Sequence, residues 1–174
     1  MRIEMFSGKL NDLQTDLLAV TCFEDIRPLR GLAGEIDWLY GGILSRVMMQ
    51  NRFSGELGKT ILLASEGKLP VSKILLLGLG TSKRYGYPRF KDMSAVLYEV
   101  IDDLKINALA VDIDTEAAIE LDPIRLLETF REGKEDTDAG LPWVTTFIVK
   151  EGERASHLHR YIRRRFPPKA SIRP

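Results

Sequence analysis

Cysteine is almost absent from this sequence, which has Cys22 as its single cysteine in 174 residues. One cysteine excludes a disulfide framework within the chain and argues against a zinc site built on cysteines. No apolar run reaches the roughly 18 residues of a transmembrane helix, and no charged and then apolar leader opens the chain. These absences predict a soluble, cytoplasmic protein without a membrane partner.

The sequence also has no excess of either charge, because 25 basic residues balance 25 acidic ones. A balanced chain gives no indication of a nucleic-acid partner. The exception is the stretch from Arg154 to Pro174, which contains the run Arg163-Arg164-Arg165 and no acid. Cations near the end of a helix are ordinarily explained by the helix dipole. We therefore still expect that nucleic acid is not a partner.

What the sequence does contain is an alternation of apolar runs of strand length with apolar residues at helical spacing. Strands are predicted over 2–6, 16–23, 60–64, 73–79, 107–113 and 144–150, and helices over 32–48, 88–104, part of 116–131, and 153–165. This alternation predicts an α/β fold, a three-layer α/β/α sandwich around a six-stranded, mostly parallel sheet. We expect one domain over 1–166 and a mobile basic tail over 167–174, because Pro167 and Pro168 stop the last helix.

Two predicted elements carry more specific expectations. The strand over 73–79 (KILLLGL) is apolar on both faces, which predicts a central position in the sheet with Leu75 and Leu77 in the core. Gly41 and Gly42 fall in the middle of the helix predicted over 32–48, where each costs about 1 kcal/mol. We interpret these glycines as a sign that the helix packs closely on a neighbouring backbone.

Several strings in this order resemble the amino-terminal domain of cytosolic leucyl aminopeptidases, and the resemblance runs from about residue 2 to 165. The strings are DLLAV–FED at 16–25, GLAGEID at 31–37, SGELG at 54–58, KILLLGLG at 73–80 and PRF at 88–90. The resemblance implies a macro-domain-like fold, with a mixed sheet between helical layers. It therefore implies that not every strand is parallel to its neighbours.

In that family, catalysis belongs to a separate carboxy-terminal domain with two metal ions, and some of their ligands lie in a motif like Asn-Thr-Asp-Ala-Glu-Gly-Arg. None of the asparagines here, Asn11, Asn51 and Asn107, is followed by Thr-Asp. No catalytic residue, metal ligand or cofactor is therefore carried over. The resemblance implies a stand-alone, non-catalytic domain.

The loop after the strand at 73–79 is the best candidate for a ligand site. Its candidate residues are Gly78, Gly80, Thr81, Ser82 and Lys83. The loop leaves the carboxyl end of a strand predicted to be central, where ligands of open α/β sheets bind. The glycines permit close backbone approach, and the polar side chains could bind an anion. The dinucleotide and P-loop patterns are not matched, so an ordinary solvated turn is the alternative.

A second candidate loop precedes the first predicted helix. Gly31, Ala33 and Gly34 lie at the N-terminus of that helix, which is a natural site for phosphate. The resemblance adds that a similar region of macro domains cradles a diphosphate. Glu35 and Asp37 are placed in the first turn of the predicted helix, where they would repel phosphate. That placement favours a structural role for the loop.

Two pairs of possible metal ligands are interpreted as structural. Asp112 and Asp114 point to one face of a strand end, and we expect an exposed strand end because no other ligand type accompanies them. His157 and His159 lie two apart on a predicted helix, so they face different directions. Cys22 lies in an apolar strand and is expected to be an inert core residue.

Three functions from different classes remain open at this point. The chain is expected to be an interaction, oligomerisation or regulatory module, with a homo-oligomer or another protein as its partner. The alternatives are a macro-domain-like binder of a nucleotide or an ADP-ribose-type ligand, and an enzyme acting on such a ligand. The fold alone cannot decide among them.

Overall fold

The computed structural model describes residues 2–113, 120–140 and 142–167. The strands are β1 (Arg2–Phe6), β2 (Thr15–Cys22), β3 (Thr60–Ala64), β4 (Val71–Gly78), β5 (Ala108–Asp112) and β6 (Val144–Ile148). The α-helices are α1 (Gly31–Leu39), α2 (Ile43–Met49), α3 (Tyr87–Asp103), α4 (Pro123–Glu132) and α5 (Glu153–Arg165). In this described part, no helix combines the length and the apolar character that a membrane crossing requires.

All six strands form one sheet in the order β1-β6-β5-β2-β4-β3. β3 runs antiparallel to β4, with Leu62 beside Leu75, and every other neighbouring pair is parallel. This topology confirms the mostly parallel, mixed sheet. The one antiparallel strand lies at an edge, where a short turn from β3 to β4 suffices.

Helices cover both faces of the sheet, which confirms the three-layer sandwich. α3, α4 and α5 bury one face through residues that include Phe90, Leu97, Phe130 and Leu158. α1 and α2 bury the other face through residues that include Leu32, Ile36, Leu44 and Val47. β4 contributes Leu75 and Leu77 to the first core and Ile74 and Leu76 to the second. It is therefore the interior strand that its apolar sequence predicts.

The helix predicted over 32–48 is wrong in one respect, because the chain breaks it at Gly41 and Gly42. Both glycines have positive φ, 64° and 79°, and they separate α1 from α2. A Cβ on either would meet nothing within 4 Å, so close packing on a neighbouring backbone is not their role. They end α1, since the Gly41 N–H donates to the carbonyl of Trp38 and the Gly42 N–H to that of Asp37.

The position of α1 also corrects the placement of two acids. α1 begins at Gly31, so its first turn ends at Gly34 and contains neither Glu35 nor Asp37. The Asp37 carboxylate instead accepts hydrogen bonds from the backbone N–H and the hydroxyl of Ser45 in α2. Asp37 thus satisfies an N–H in the first turn of the next helix.

The last two helices begin and end where local chemistry sets their limits. α4 begins at Pro123, and Asp122 caps it by accepting from the Arg125 N–H at 2.8 Å. α5 covers the predicted range 153–165. The earlier part of the helix predicted within 116–131, Asp114, and most of the tail predicted over 167–174 lie outside the described residues. The domain limits therefore stay a prediction.

Candidate functional site

A cleft opens where the carboxyl ends of β2, β5 and β6 meet the N-terminus of α1. Its inner part is a cavity of about 30 Å³ lined by residues that include Thr21, Cys22, Gly31, Ala33 and Asp112. An outer hollow of about 390 Å³ is lined by residues that include Gly8, Gly31, Asp112, Lys150 and Glu151. Gly31, Leu32 and Asp112 line both spaces, so the two are parts of one cleft.

The two parts of the cleft differ in what they can hold. A water needs about 10–15 Å³ of such space, so the inner cavity has room for about two waters or one small group. The outer hollow falls in the range of about 300–1,000 Å³ that is usual for small-molecule sites. The cleft lies at the carboxyl edge of parallel strands, where ligands of α/β sheets bind.

Thr21 lines the inner cavity and carries a buried hydroxyl. The residue is 6% exposed, and its Oγ1 has no hydrogen-bond partner among the residues that the structure describes. A buried polar atom without a partner costs about 1–3 kcal/mol. Sequence reasoning missed this residue, although Thr21 is the one hydroxyl residue in the apolar run at 17–23.

Asp112 is buried rather than exposed, which corrects the prediction of an exposed strand end. Its exposed fraction is 5%, because β5 lies in the sheet interior between β2 and β6. Asp112 lines both parts of the cleft. The predicted partner Asp114 lies outside the described residues.

Cys22 is the only sulfur nucleophile of the chain, and its surroundings keep it inactive. Its exposed fraction is 2%. Burial raises the pKa of the Cys22 thiol to about 12, and the nearby Arg27 opposes this only in part. A thiol with so high a pKa carries almost no thiolate at neutral pH. The expectation of an inert core cysteine is thus supported.

The predicted loop at the start of α1 contributes two of its three residues to the cleft. Gly31 has a positive φ of 58° and lines both parts, while Ala33 lines the inner cavity. Gly34 has a different role. A Cβ at Gly34 would lie 2.7 Å from the carbonyl oxygen of Leu29, so glycine is needed there for the loop to pack on the helix.

The glycines of the predicted loop at 78–83 are engaged by the chain itself. The Gly78 N–H donates to the carbonyl of Lys59 at 2.9 Å, and the Gly78 carbonyl accepts from the Gly58 N–H at 3.0 Å. The Gly80 N–H donates to the carbonyl of Gly55 at 2.9 Å. These glycines let the loop lie directly on residues 55–59.

A carboxylate of the protein itself, that of Asp25, already lies at the polar end of this loop. The Asp25 carboxylate accepts the backbone N–H of Ser82 at 2.8 Å and the Ser82 hydroxyl at 2.9 Å. These bonds, the backbone one above all, hold the pKa of Asp25 below its usual value, and Lys83 acts in the same direction. Ser82 thus bonds a carboxylate of the protein itself, and the prediction that Ser82 and Lys83 bind a ligand stays a prediction. Thr81, which opens this turn, is half-buried.

Large apolar side chains on the surface form a second kind of candidate site. Both tryptophans of the chain are outside, since Trp38 on α1 is 83% exposed and Trp143 before β6 is 76% exposed. Met49 on α2 is 77% exposed, and Leu62 on the edge strand β3 is 42% exposed.

Over the described ranges, no three His, Cys, Asp or Glu side chains cluster closely enough to hold a metal ion.

The sequence matches a known family model over most of its length. The model of the cytosol aminopeptidase family, N-terminal domain, matches residues 19–135. A probable cytosol aminopeptidase of Alkaliphilus metalliredigens is 28% identical over 111 residues, which cover 64% of this chain and 22% of that protein. The matched part of the chain spans about a fifth of the length of this and similar aminopeptidases, and about a third where nearly the whole chain aligns.

Solved structures with this fold come from two groups of proteins. A mutant of tomato leucine aminopeptidase superposes with a TM-score of 0.66 at 18% identity, covering 93% of this chain and 35% of that one. A Trypanosoma brucei macrodomain in complex with ADP-ribose superposes with a TM-score of 0.71 at 16% identity, covering 92% of this chain and 69% of that one. At these identities the likeness concerns the fold.

Proposed function

The chain belongs to the N-terminal domain family of the cytosol aminopeptidases, and from this membership we propose that it is a non-catalytic cytoplasmic module that binds a protein surface. The family match covers about a fifth of the matched aminopeptidases. The first partner class to consider is therefore the remaining, catalytic part of such an enzyme, and the second is another copy of the chain.

The exposure of both tryptophans is the observation that carries this proposal. The fold buries Phe90, Phe130 and Phe147 completely, yet it leaves Trp38 and Trp143 more than three-quarters exposed. Tryptophan is usually well buried in single domains, and it is enriched among the residues that dominate binding at protein interfaces. An interface over either residue would remove a large apolar side chain from water.

The test uses the two tryptophans as reporters. In the free chain we expect acrylamide to quench the fluorescence of both, because both are exposed to solvent. On binding the catalytic part of a cytosol aminopeptidase, or a second copy, the quenching constant of at least one should fall by about twofold or more, as burial at an interface centre requires. The single-tryptophan variants Trp38→Phe and Trp143→Phe show which residue is covered, and each is the control for the other.

The non-catalytic part of the proposal is tested on the same preparation. We expect no hydrolysis of leucyl chromogenic substrates with added zinc, manganese or cobalt. Metal-dependent turnover that is lost in Asp112→Asn would contradict this part. If the acrylamide quenching constants with the aminopeptidase part and at high concentration of the chain equal those of the free chain, the binding part is contradicted.

A small anionic ligand in the cleft at α1 is the second candidate function, and Thr21 is the observation that favours it. Thr21 lines the inner cavity, and its buried hydroxyl has no protein partner among the described residues, so a group bound in the cavity would satisfy it. Gly31 and Ala33 would be further contacts. The structural neighbour with bound ADP-ribose supports a nucleotide of that type as the ligand. The loop with Gly78, Gly80, Thr81, Ser82 and Lys83 remains the alternative anion site, with Asp25 as an internal competitor at Ser82.

Replacing Thr21 with valine should separate binding from stability. We expect Thr21→Val to weaken ADP-ribose or ADP binding by about tenfold, which is about 1.4 kcal/mol, because one hydrogen bond to the ligand is lost. The same change should raise the free energy of unfolding by about 1 kcal/mol, since it removes an unpaired buried hydroxyl. Calorimetric titration and urea unfolding measure the two effects.

Thr145 provides the matched control on β6. It is fully buried, and its Oγ1 also has no partner within the described part of the chain. Thr145→Val should therefore stabilise the fold to a similar degree and leave ligand affinity unchanged. Equal affinities of the wild type and Thr21→Val would remove Thr21 from the site. The absence of any shift in melting temperature with either nucleotide would end this candidate.

A further inference from the structure

The outer edge of β3 presents a defined set of backbone groups to solvent. The Gly78 N–H donates to the carbonyl of Lys59, so Lys59 faces β4. Antiparallel residues alternate between facing the neighbour and facing away, and the register joins Ile61 to Leu76 and Leu63 to Ile74. The N–H and carbonyl groups of Thr60, Leu62 and Ala64 therefore point away from the sheet.

Within the part of the chain that the structure describes, this edge lacks the usual protection against pairing. Edge strands are ordinarily blocked by proline, by charged residues or by a covering element. The five residues of β3 (TILLA) include no proline and no charge. The three residues whose backbone points outward, Thr60, Leu62 and Ala64, are also the exposed ones of the strand, and Leu62 is 42% exposed.

From this edge we infer that β3 pairs with the β3 of a second copy of the chain, about a two-fold axis through Leu62. The inference rests on the proposed binding role and names one of its partners. Leu62 then lies opposite the Leu62 of the second copy, and Thr60 lies opposite its Ala64. The three outward-facing pairs make about two backbone hydrogen bonds each, so the two sheets become one continuous sheet. The two half-exposed leucines cover each other.

The charges at the two ends of the strand select the antiparallel arrangement. Lys59 directly precedes β3, Glu66 lies two residues past its end, and both are exposed. In the two-fold arrangement, the Lys59 of each copy and the Glu66 of the other copy lie at the same end of the paired strands. A parallel pairing would place lysine beside lysine and glutamate beside glutamate, which repel.

Sedimentation velocity of the full chain over ~10–500 µM tests the pairing. A five-residue strand gives a small interface, so we expect a weak dimer with a dissociation constant of about 100 µM. Leu62→Lys should weaken it at least ~tenfold, because it places two cations face to face. Met49→Lys is the matched control, since it adds the same charge at an exposed apolar site on α2, and it should leave the dimer unchanged.

A charge swap and hydrogen exchange give two independent readings. Lys59→Glu and Glu66→Lys should each weaken the dimer, and the double variant should restore it. At high concentration the amides of Thr60, Leu62 and Ala64 should gain protection, while those of Ile61 and Leu63 are protected throughout.

Two results would overturn the inference. A dimer that Leu62→Lys leaves intact would lie on another surface, and the proposed binding role would then still stand. A chain that stays monomeric up to ~500 µM would also exclude the pairing. In that case, tryptophan quenching with the aminopeptidase part decides the binding role separately.

Discussion

Replacing Gly78 with alanine is expected to destabilise the fold by at least about 3 kcal/mol, near the upper end of what overpacking costs. A Cβ at this position would lie 2.0 Å from the carbonyl oxygen of Glu56 and 2.7 Å from the carbonyl carbon of Gly55. Both are backbone atoms, so no side chain can turn away. The segment is also held in place, because the carbonyl of Gly55 accepts from the Gly80 N–H. Urea unfolding measures the loss.

Gly86 at the other end of the same loop is the matched control. Its φ of 175° is extended, and an added Cβ would meet only the Cδ of Pro88, at 3.9 Å. Gly86→Ala should cost about 1 kcal/mol or less, mainly because alanine is the poorer residue at the start of α3. If both variants lost the same stability, contact with residues 55–56 would not be the reason for the glycine at 78.

Leu77→Ala is expected to lower the free energy of unfolding by about 2–5 kcal/mol, as in other large-to-small changes in cores. Leu77 is fully buried in the core that α3, α4 and α5 cover. Close packing prevents the surroundings from filling the space that the smaller side chain leaves. The expected loss is a large part of the roughly 5–15 kcal/mol of a typical domain.

Leu62 on the neighbouring strand is the control for Leu77. It lies in the same sheet, paired by register with Leu75, but it is 42% exposed. Leu62→Ala should cost about 1 kcal/mol or less, since water already reaches much of the side chain. Urea unfolding of both variants at about 1 µM, far below the expected dissociation constant of the dimer, compares the two as monomers. A loss below about 1 kcal/mol for Leu77→Ala would contradict its place in the core.

Elements with a strong local signal could be predicted from the sequence. The apolar run of β4 predicted its interior position. The apolar spacing of α5, with the prolines after it, predicted the limits of that helix. Gly41 and Gly42 show where such signals fail. The apolar spacing continues through both glycines, so the pattern alone indicates one helix, while their positive φ values end α1 and let the chain turn into α2.

Features that depend on distant parts of the chain could not be predicted in this way. Asp25 and Ser82 are 57 positions apart, and nothing in either segment indicates that the carboxylate takes the place of a bound anion. The burial of Asp112 depends on β2 and β6 lying on both sides of β5. The family resemblance implied only that the sheet is mixed, and nothing in the residues of β3 indicated that it is the strand that runs antiparallel.

The pairing of β1 with β6 has a consequence for synthesis on the ribosome. Arg2 lies beside Val144 in the sheet, so β1 finds its neighbour only after the chain has been made through β6. Closing so long a loop is entropically costly and slows folding. Until β6 is made, β5 is an open edge of the sheet in addition to β3, and β1 has no strand to pair with. During this interval the nascent chain is most prone to pair with other chains and aggregate. Most of the sheet, from β2 to β5, can assemble first, and its completion waits for the last strand.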